Sequence, residues 1–177
     1  MSHHPPHILL DDTWYIVTSS TLYGRRYFAA PALKQLLLDE LDELVKTYGI
    51  RLVAWVVLDN HYHILFKSRV GKDLPRFFGR LHGATSREVN RRHGILGRQV
   101  WHNYWDTCIL DKAGFWTRFN YIHHNPVKHR YVKRMEDWPY SSYQHYLASK
   151  GQEWLDECWR RYPVIDHLEG DDFDVDT

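Results

Sequence analysis

An α+β fold is predicted for this chain, in the ferredoxin-like split βαβ arrangement: a four-stranded antiparallel sheet with two crossover helices on one face, plus an additional C-terminal helix that carries Tyr121. Three observations predict it. The apolar period switches between 2 and 3.6 in the order strand, helix, strand, strand, helix, strand, helix. The two middle strands are separated only by Asp59-Asn60, and 177 residues suit one domain with a sizeable core.

The segment Trp14-Tyr15-Ile16-Val17-Thr18-Ser19-Ser20 is dense in β-branched and aromatic residues, the composition of a first strand, and a basic loop around Arg25-Arg26 follows it. Pro31 opens a helix because its fixed φ suits the first helical position. From Ala32 to Tyr48, Leu33, Leu36, Leu37, Leu41, Leu44, Val45 and Tyr48 recur at spacings of 3 and 4, and Gly49 is the stop. The run Leu52 to Leu58 reads as a buried strand, Asp59-Asn60 as a tight reversal, and His61 to Lys67 as its hairpin partner. A helix from about Leu74 to Arg91, a strand from about Tyr104 to Leu110 and a helix from about Lys112 to His124 follow. Pro126 sets the last boundary by biasing Asn125 away from helical geometry. No repeat, low-complexity segment or linker precedes residue 165, so residues 1–165 are taken as one domain and 166–177 as a disordered tail.

Charge divides the same way. The six acidic residues from Asp166 onward have no Lys or Arg among them, while residues 1–165 hold all 23 basic and 16 of the 22 acidic residues, a balance of +7. A basic body suits a polyanionic partner, although acidic tails also serve as solubility devices. With 8 Trp and 12 Tyr the chain is rich in aromatics, which serve cores and stacking surfaces alike. Only Cys108 and Cys158 are present, which fits a reducing, cytoplasmic compartment better than a disulfide scaffold. No basic-then-apolar leader opens the chain, and no apolar run approaches the roughly 20 residues of a membrane span.

The chemistry concentrates in two places. Strand alternation points His61 and His63 one way and Tyr62, Ile64 and Phe66 the other, which makes the two imidazoles a bidentate platform for a divalent metal. For an isolated His-x-His the blander reading, two half-exposed strand residues, would be preferred; a third ligand has to come from elsewhere. The second place is the last helix. Tyr121 and Asn125 are four apart and share a face, so a phenol and an amide can meet the platform together. Asn125 is the candidate third ligand, with His123, His124 or a water as alternatives. Taken alone, Tyr121 would be read as a core aromatic.

Four stretches in order carry a resemblance: Asp59-Asn60-His61-Tyr62-His63; Gly97-Arg98-Gln99-Val100-Trp101 leading into Tyr104-Trp105-Asp106; Tyr121-Ile122-His123-His124-Asn125-Pro126-Val127; and Glu136-Asp137-Trp138-Pro139-Tyr140-Ser141-Ser142-Tyr143. Over about residues 14–146 the chain resembles the one-tyrosine transposases of the simplest bacterial insertion sequences (IS200-like), most closely their REP-associated relatives. The His-x-His alone is weak; the last two stretches are specific. The resemblance implies a nuclease of the His-hydrophobe-His class in which His61 and His63 hold magnesium or manganese and Tyr121 attacks DNA. Tyr62 departs from the family by bringing a hydroxyl to the middle of the motif. That hydroxyl needs a partner, and alternation directs it away from the platform.

The implied reaction is nicking and rejoining of a single-stranded DNA hairpin through a covalent 5′-phosphotyrosine link, in a cytoplasmic, nucleoid-associated bacterial enzyme, monomer or homodimer, with the tyrosine serving its own chain's metal or a partner's. A phenol with a pKa near about 10 needs activation at neutral pH, which a Lewis-acidic cation supplies. Two imidazoles would by intrinsic affinity also take zinc or nickel. Arg76, Arg80, Arg87 and Arg91 share a helix face, and Arg98, Lys128 and Arg130, with Arg92, Lys133 and Arg134, add to a candidate phosphate track; a solvated face is the default for any one of them. Trp101, Tyr104, Trp138, Tyr140 and Tyr143 are candidate base-stacking residues, or, for Trp138 and Tyr143, residues that pin the segment after Tyr121 to the core. The alternatives are a domesticated, non-catalytic binder of structured single strands, a replication-initiator or relaxase-type nickase, for which this chain is short, and a phosphodiesterase using both histidines without metal.

Overall fold

The computed structural model describes residues 9–164; the acidic tail expected from residue 166 lies outside the described residues. Four strands, β1 (Trp14–Thr21), β2 (Arg51–Val57), β3 (His61–Lys67) and β4 (Trp101–Cys108), form one sheet in the order β2-β3-β1-β4, with every neighbouring pair antiparallel. Two crossover helices, α1 (Pro31–Tyr48) and α2 (Leu74–Arg92), pack together on one face. This is the expected split βαβ sheet, with the histidine strand β3 inside it. Leu33, Leu37, Leu41 and Leu44 of α1 and Phe77, Phe78, Leu81 and Val89 of α2 meet Tyr15, Val17, Tyr62, Ile64 and Phe66 of the strands in a buried layer. Gly49 ends α1 in the left-handed region, φ 62°, where a Cβ would be strained.

The fold differs from expectation in three respects, two of them on the opposite face of the sheet and one in β4. The helix carrying Tyr121, α3 (Lys112–Lys128), runs through Pro126 and ends four residues beyond the expected His124. Proline removes its own N–H, yet the Asn125 carbonyl still accepts from His129 N (3.0 Å) and the Pro126 carbonyl from Tyr131 N (2.9 Å), so the penalty falls on one bond near the helix end. Burial of Asn125 and Pro126 against the sheet outweighs it. Two helices absent from the sequence reading, α4 (Tyr143–Lys150) and α5 (Gln152–Arg161), complete this layer. Leu155 and Cys158 of α5 are buried, with Trp154 packed against Trp116 and Phe119 of α3.

The fourth strand begins three residues earlier than expected and stops at Cys108. Trp101 draws it back, because its ring is buried between Phe28, Tyr62 and His82. At the other end Asp111 caps α3, its carboxylate accepting from Gly114 N at 2.7 Å. Among the described residues no helix is long and apolar enough to cross a membrane.

Candidate metal and tyrosine site

The site begins at the reversal between β2 and β3. Leu58 N donates to the His61 carbonyl (2.9 Å), closing a tight turn on Asp59 and Asn60. Asp59 is buried, and its carboxylate lies 2.7 Å from Lys34 Nζ and 2.5 Å from the Arg26 guanidinium. Lys34, itself buried on α1, also donates to the carbonyls of Phe28 (2.8 Å) and Ala29 (3.0 Å). These partners compensate the desolvation of both charges and fix the turn to α1. Asn60 Nδ2 donates to the Gly24 carbonyl (3.2 Å), which leaves Asn60 Oδ1 2.7 Å from His61 Nδ1 as an acceptor.

His61 and His63 project from the same face of β3, ring centroids 5.0 Å apart, toward α3. Thr18 Oγ1 meets His63 Nδ1 at 2.8 Å. Each imidazole is thus oriented through Nδ1 by a neighbour, the support that metal-binding histidines require. Asn125 is fully buried, with Oδ1 3.1 Å from His61 Nε2, and lies close enough to His63 to favour its protonated form. With Nδ1–H of His61 given to Asn60, the Nε2 lone pair faces the Asn125 oxygen. Two acceptors at this distance are stable around a shared cation, either a ring proton or a metal ion. Asn125 Nδ2 is buried without a hydrogen-bond partner among the described residues, so the amide is placed through its oxygen alone. Burial first, then the charges of His129 and Lys128, pull the His63 pKa down to about 3, which keeps it in the neutral form that a metal binds. The residues present therefore fit a divalent cation. The set is two nitrogens and one amide oxygen, and among the described residues no three His, Cys, Asp or Glu gather into a metal site.

Tyr121 faces this group across the layer, its ring 5.5 Å from that of His63, and is 1% exposed. Lys128, two helical turns on, approaches the Tyr121 hydroxyl (3.5 Å) and lies over its ring (5.1 Å). The tyrosine and the histidines of one chain therefore meet without a partner. Tyr62 points the other way, its hydroxyl 2.8 Å from His82 Nε2, and burial raises its pKa well above the ordinary phenol range. His123 and His124 also turn aside. His123 Nε2 lies 2.7 Å from Ser142 Oγ, and the His124 ring packs on Trp159.

The segment after α3 explains the second specific stretch of sequence. Trp138 Nε1 donates to the Val57 carbonyl (3.1 Å), Val57 N to the Tyr140 carbonyl (2.9 Å), Ser142 N to the Trp55 carbonyl (2.9 Å) and Trp55 N to Ser142 Oγ (2.9 Å). Residues 138–142 thus cover the exposed edge of β2 and, through His123 and Ser142, clamp α3 onto the sheet.

Of the proposed phosphate track, only Lys128 lies at the histidines. Arg76, Arg80, Arg87 and Arg91 are exposed on α2, across the sheet from the site, with Arg80 over Tyr48 and Arg91 paired with Glu88 at 2.7 Å. Arg98 bonds Asn90 (3.0 Å) and His93 (2.8 Å) and lies over Tyr27; Arg130 is exposed just past α3. Trp101, Trp138 and Tyr143 are core residues, while Tyr104 and Tyr140 are half-buried. Sequence reasoning passed over Thr18, Asn60, Lys34 and His129. The last, four residues beyond Asn125, brings its ring within 4.9 Å of His61, and its helical spacing was the available signal.

A family pattern described as "Transposase IS200 like" matches residues 11–125. The chain is 26% identical over 151 residues to the REP-associated tyrosine transposase of Escherichia coli (strain K12), covering 84% of this chain and 86% of that one. Its fold matches the solved structure of a REP-associated tyrosine transposase bound to a REP hairpin with a TM-score of 0.69, at 21% identity, over 84% of this chain and 86% of the other.

Proposed function

This chain belongs to the IS200-like transposase family, and from that premise we propose that it nicks and rejoins single-stranded DNA hairpins of REP or insertion-sequence-end type, with Tyr121 as nucleophile and His61, His63 and Asn125 holding magnesium or manganese. The observation that carries this reading is the convergence, within one chain, of Tyr121 on His63 and of Asn125 on both imidazoles. Hairpin DNA as partner is supported by the REP hairpin bound in the structural neighbour.

In the reaction, the Tyr121 oxygen forms a bond to the scissile phosphorus, the bond from phosphorus to the 3′ oxygen breaks, and the phenol loses its proton. The products are a 5′-phosphotyrosine and a free 3′-hydroxyl. Because the phosphodiester energy is kept in the link, a second 3′-hydroxyl reverses the step and joins new DNA. A bound divalent cation supplies Lewis-acid polarisation of the phosphate. Lys128 places positive charge beside the attacking oxygen, where negative charge develops. His61, His63 and Asn125 would hold the cation with an electrically neutral set, which would leave its charge available to the anionic oxygens that magnesium and manganese prefer. We assign such an enzyme to the bacterial cytoplasm and nucleoid, where its substrate lies.

The test is a denaturing gel of protein with end-labelled hairpin DNA, with and without magnesium or manganese, comparing wild type with Tyr121→Phe. The expected result is an SDS-resistant adduct that needs metal and disappears in Tyr121→Phe. Cleavage without adduct would overturn the tyrosine mechanism. The near-complete burial of Tyr121 favours a second reading, a non-catalytic hairpin binder, and hairpin binding with neither cleavage nor adduct would establish it.

A further inference from the structure

The end of the sheet that carries His61 also carries a strained loop. Ser20 is the register partner of His61, and three residues further on Tyr23 sits in the left-handed region at φ 58°, ψ 27°, just before Gly24 at φ 62°. Glycine enters that region freely, whereas a tyrosine there brings its Cβ against the following carbonyl. Such an outlier persists only where surrounding contacts impose it, and here they do. Thr21 N donates to the Asn60 carbonyl (2.7 Å), Leu22 N to the Val100 carbonyl (2.8 Å) and Thr21 Oγ1 to the Arg25 carbonyl (2.6 Å), while Asn60 Nδ2 donates to the Gly24 carbonyl (3.2 Å). The backbone of residues 21–25 is therefore tied to the β2–β3 turn and to the entry of β4. Tyr23 itself stays out of the packing and is 83% exposed. The amide that holds this loop also holds the histidine platform, because Asn60 Oδ1 lies 2.7 Å from His61 Nδ1. One side chain thus spans the gap from the Gly24 carbonyl to the His61 ring. The surroundings are cationic: Arg25 is exposed, its Nη1 donating to the Tyr27 hydroxyl (3.4 Å), and Arg98 lies over the Tyr27 ring at 4.4 Å. The carboxylate of this corner, Asp59, is buried and neutralised by Lys34 and Arg26.

We propose that Tyr23 is a stacking residue for one unpaired nucleobase in the single-stranded flank of the hairpin, close to the phosphate that Tyr121 attacks, with Arg25 against the backbone of the same flank. The inference rests on the function proposed above. A glycine at position 23 would give the same turn without strain, so what the tyrosine adds is an exposed ring on a fixed backbone. An aromatic face takes any base, the device by which single strands are held without sequence readout. A ring whose backbone is already fixed also has less freedom to lose when the base arrives. Asn60 supplies the coupling to the chemistry: its two hydrogen bonds fix the loop and His61 relative to each other, so a base held on Tyr23 steadies the strand that passes the histidines.

The experiment uses the full chain carrying Tyr121→Phe, so that binding is read without cleavage. The DNAs are a blunt hairpin, the same hairpin with a single-stranded flank, and flanked hairpins with one abasic residue at successive flank positions. The readout is the ratio of flanked to blunt affinity, expected to be at least about fivefold for one stacked base. An abasic residue at one flank position is expected to remove that gain. Tyr23→Gly, which deletes the ring and accepts φ 58° without strain, is expected to cut the gain below about twofold with the far-ultraviolet spectrum unchanged. Tyr23→Phe, which keeps the ring, retains it. A gain that survives Tyr23→Gly, a gain lost in Tyr23→Phe, a gain indifferent to every abasic position, or no gain in the parent would each overturn the subsite. The underlying reading fails separately: a wild-type chain that forms no covalent adduct yet shows the Tyr23-dependent gain keeps the subsite and loses the nicking activity.

Discussion

Asp59→Asn probes the anchor on which the histidine hairpin depends. The two cations that hold this carboxylate are not equivalent. The Arg26 side chain is 64% exposed, so its pair is screened by water and contributes about 1 kcal/mol or less. The Lys34 side chain is 3% exposed, and without Asp59 its ammonium retains only neutral partners, the carbonyls of Phe28 and Ala29 and the rings of Trp138 and Tyr140. A buried charge stripped of its counter-ion costs about 3–5 kcal/mol. For a chain of this size that lowers Tm by about 6–20 °C. Adding Lys34→Met removes the buried charge altogether and is expected to restore most of the loss, because the apolar end then lies against Trp138 and Tyr140, over which the ammonium now sits. Urea denaturation of both single variants and the double variant, at constant m, closes the cycle. A loss of less than about 1 kcal/mol in Asp59→Asn, the scale of an exposed pair, or a double variant no more stable than Asp59→Asn, would refute the argument.

Acid should destabilise the fold. Burial holds His63, His82 and His123 at about 3, against about 6.5 in the unfolded chain, so below pH 6.5 the unfolded state binds protons that the folded state refuses. Stability is full above that pH and declines as pH falls from about 6.5 toward 3, by up to about 1.4 kcal/mol per pH unit for each group, and a urea midpoint unchanged between neutrality and about pH 5 contradicts this. Ser142→Ala leaves buried Trp55 N and His123 Nε2 without their shared partner, an expected loss of about 1–3 kcal/mol by denaturant titration; a neutral result would mean that residues 138–142 hold the β2 edge without it. Asn125→Ala should weaken manganese binding at least about tenfold in calorimetry while the far-ultraviolet spectrum is kept, and undiminished affinity would remove Asn125 from the ligand set. Chelation should abolish the adduct of the wild-type chain and spare hairpin binding, and an adduct that persists in chelator would end the metal reading.

Local pattern carried much of this architecture. The leucine period of α1, bracketed by Pro31 and Gly49, and the apolar run before Asp59-Asn60 report local preferences, so their boundaries lie within a residue of those seen. The end of α3 was misread because the rule for the residue before proline is also local, and burial of Asn125 and Pro126 overrode it. Helix α4 has little apolar pattern of its own and α5, though amphipathic, spans only Gln152–Arg161, so both are short elements whose stability comes from packing in the α3 layer. Alternation in β3 sufficed to place His61 and His63 together and Tyr62 apart, since a strand has a period of two.

What the sequence determined by itself was the order of elements as far as α3, the sheet type and the candidate reactive side chains, all of which follow from nearest-neighbour sterics and apolar spacing. The tertiary structure decided which charges and rings share a face with them. The arginines of α2 satisfy the same helical spacing as Tyr121 and Asn125, yet α2 covers one side of the sheet and α3 the other. Trp101 and Trp105 occupy one strand, yet a register shift buries the first in the α2 layer and leaves the second on the opposite face, which carries the histidines. Face and layer depend on contacts between residues far apart in the chain, and no local rule encodes those contacts.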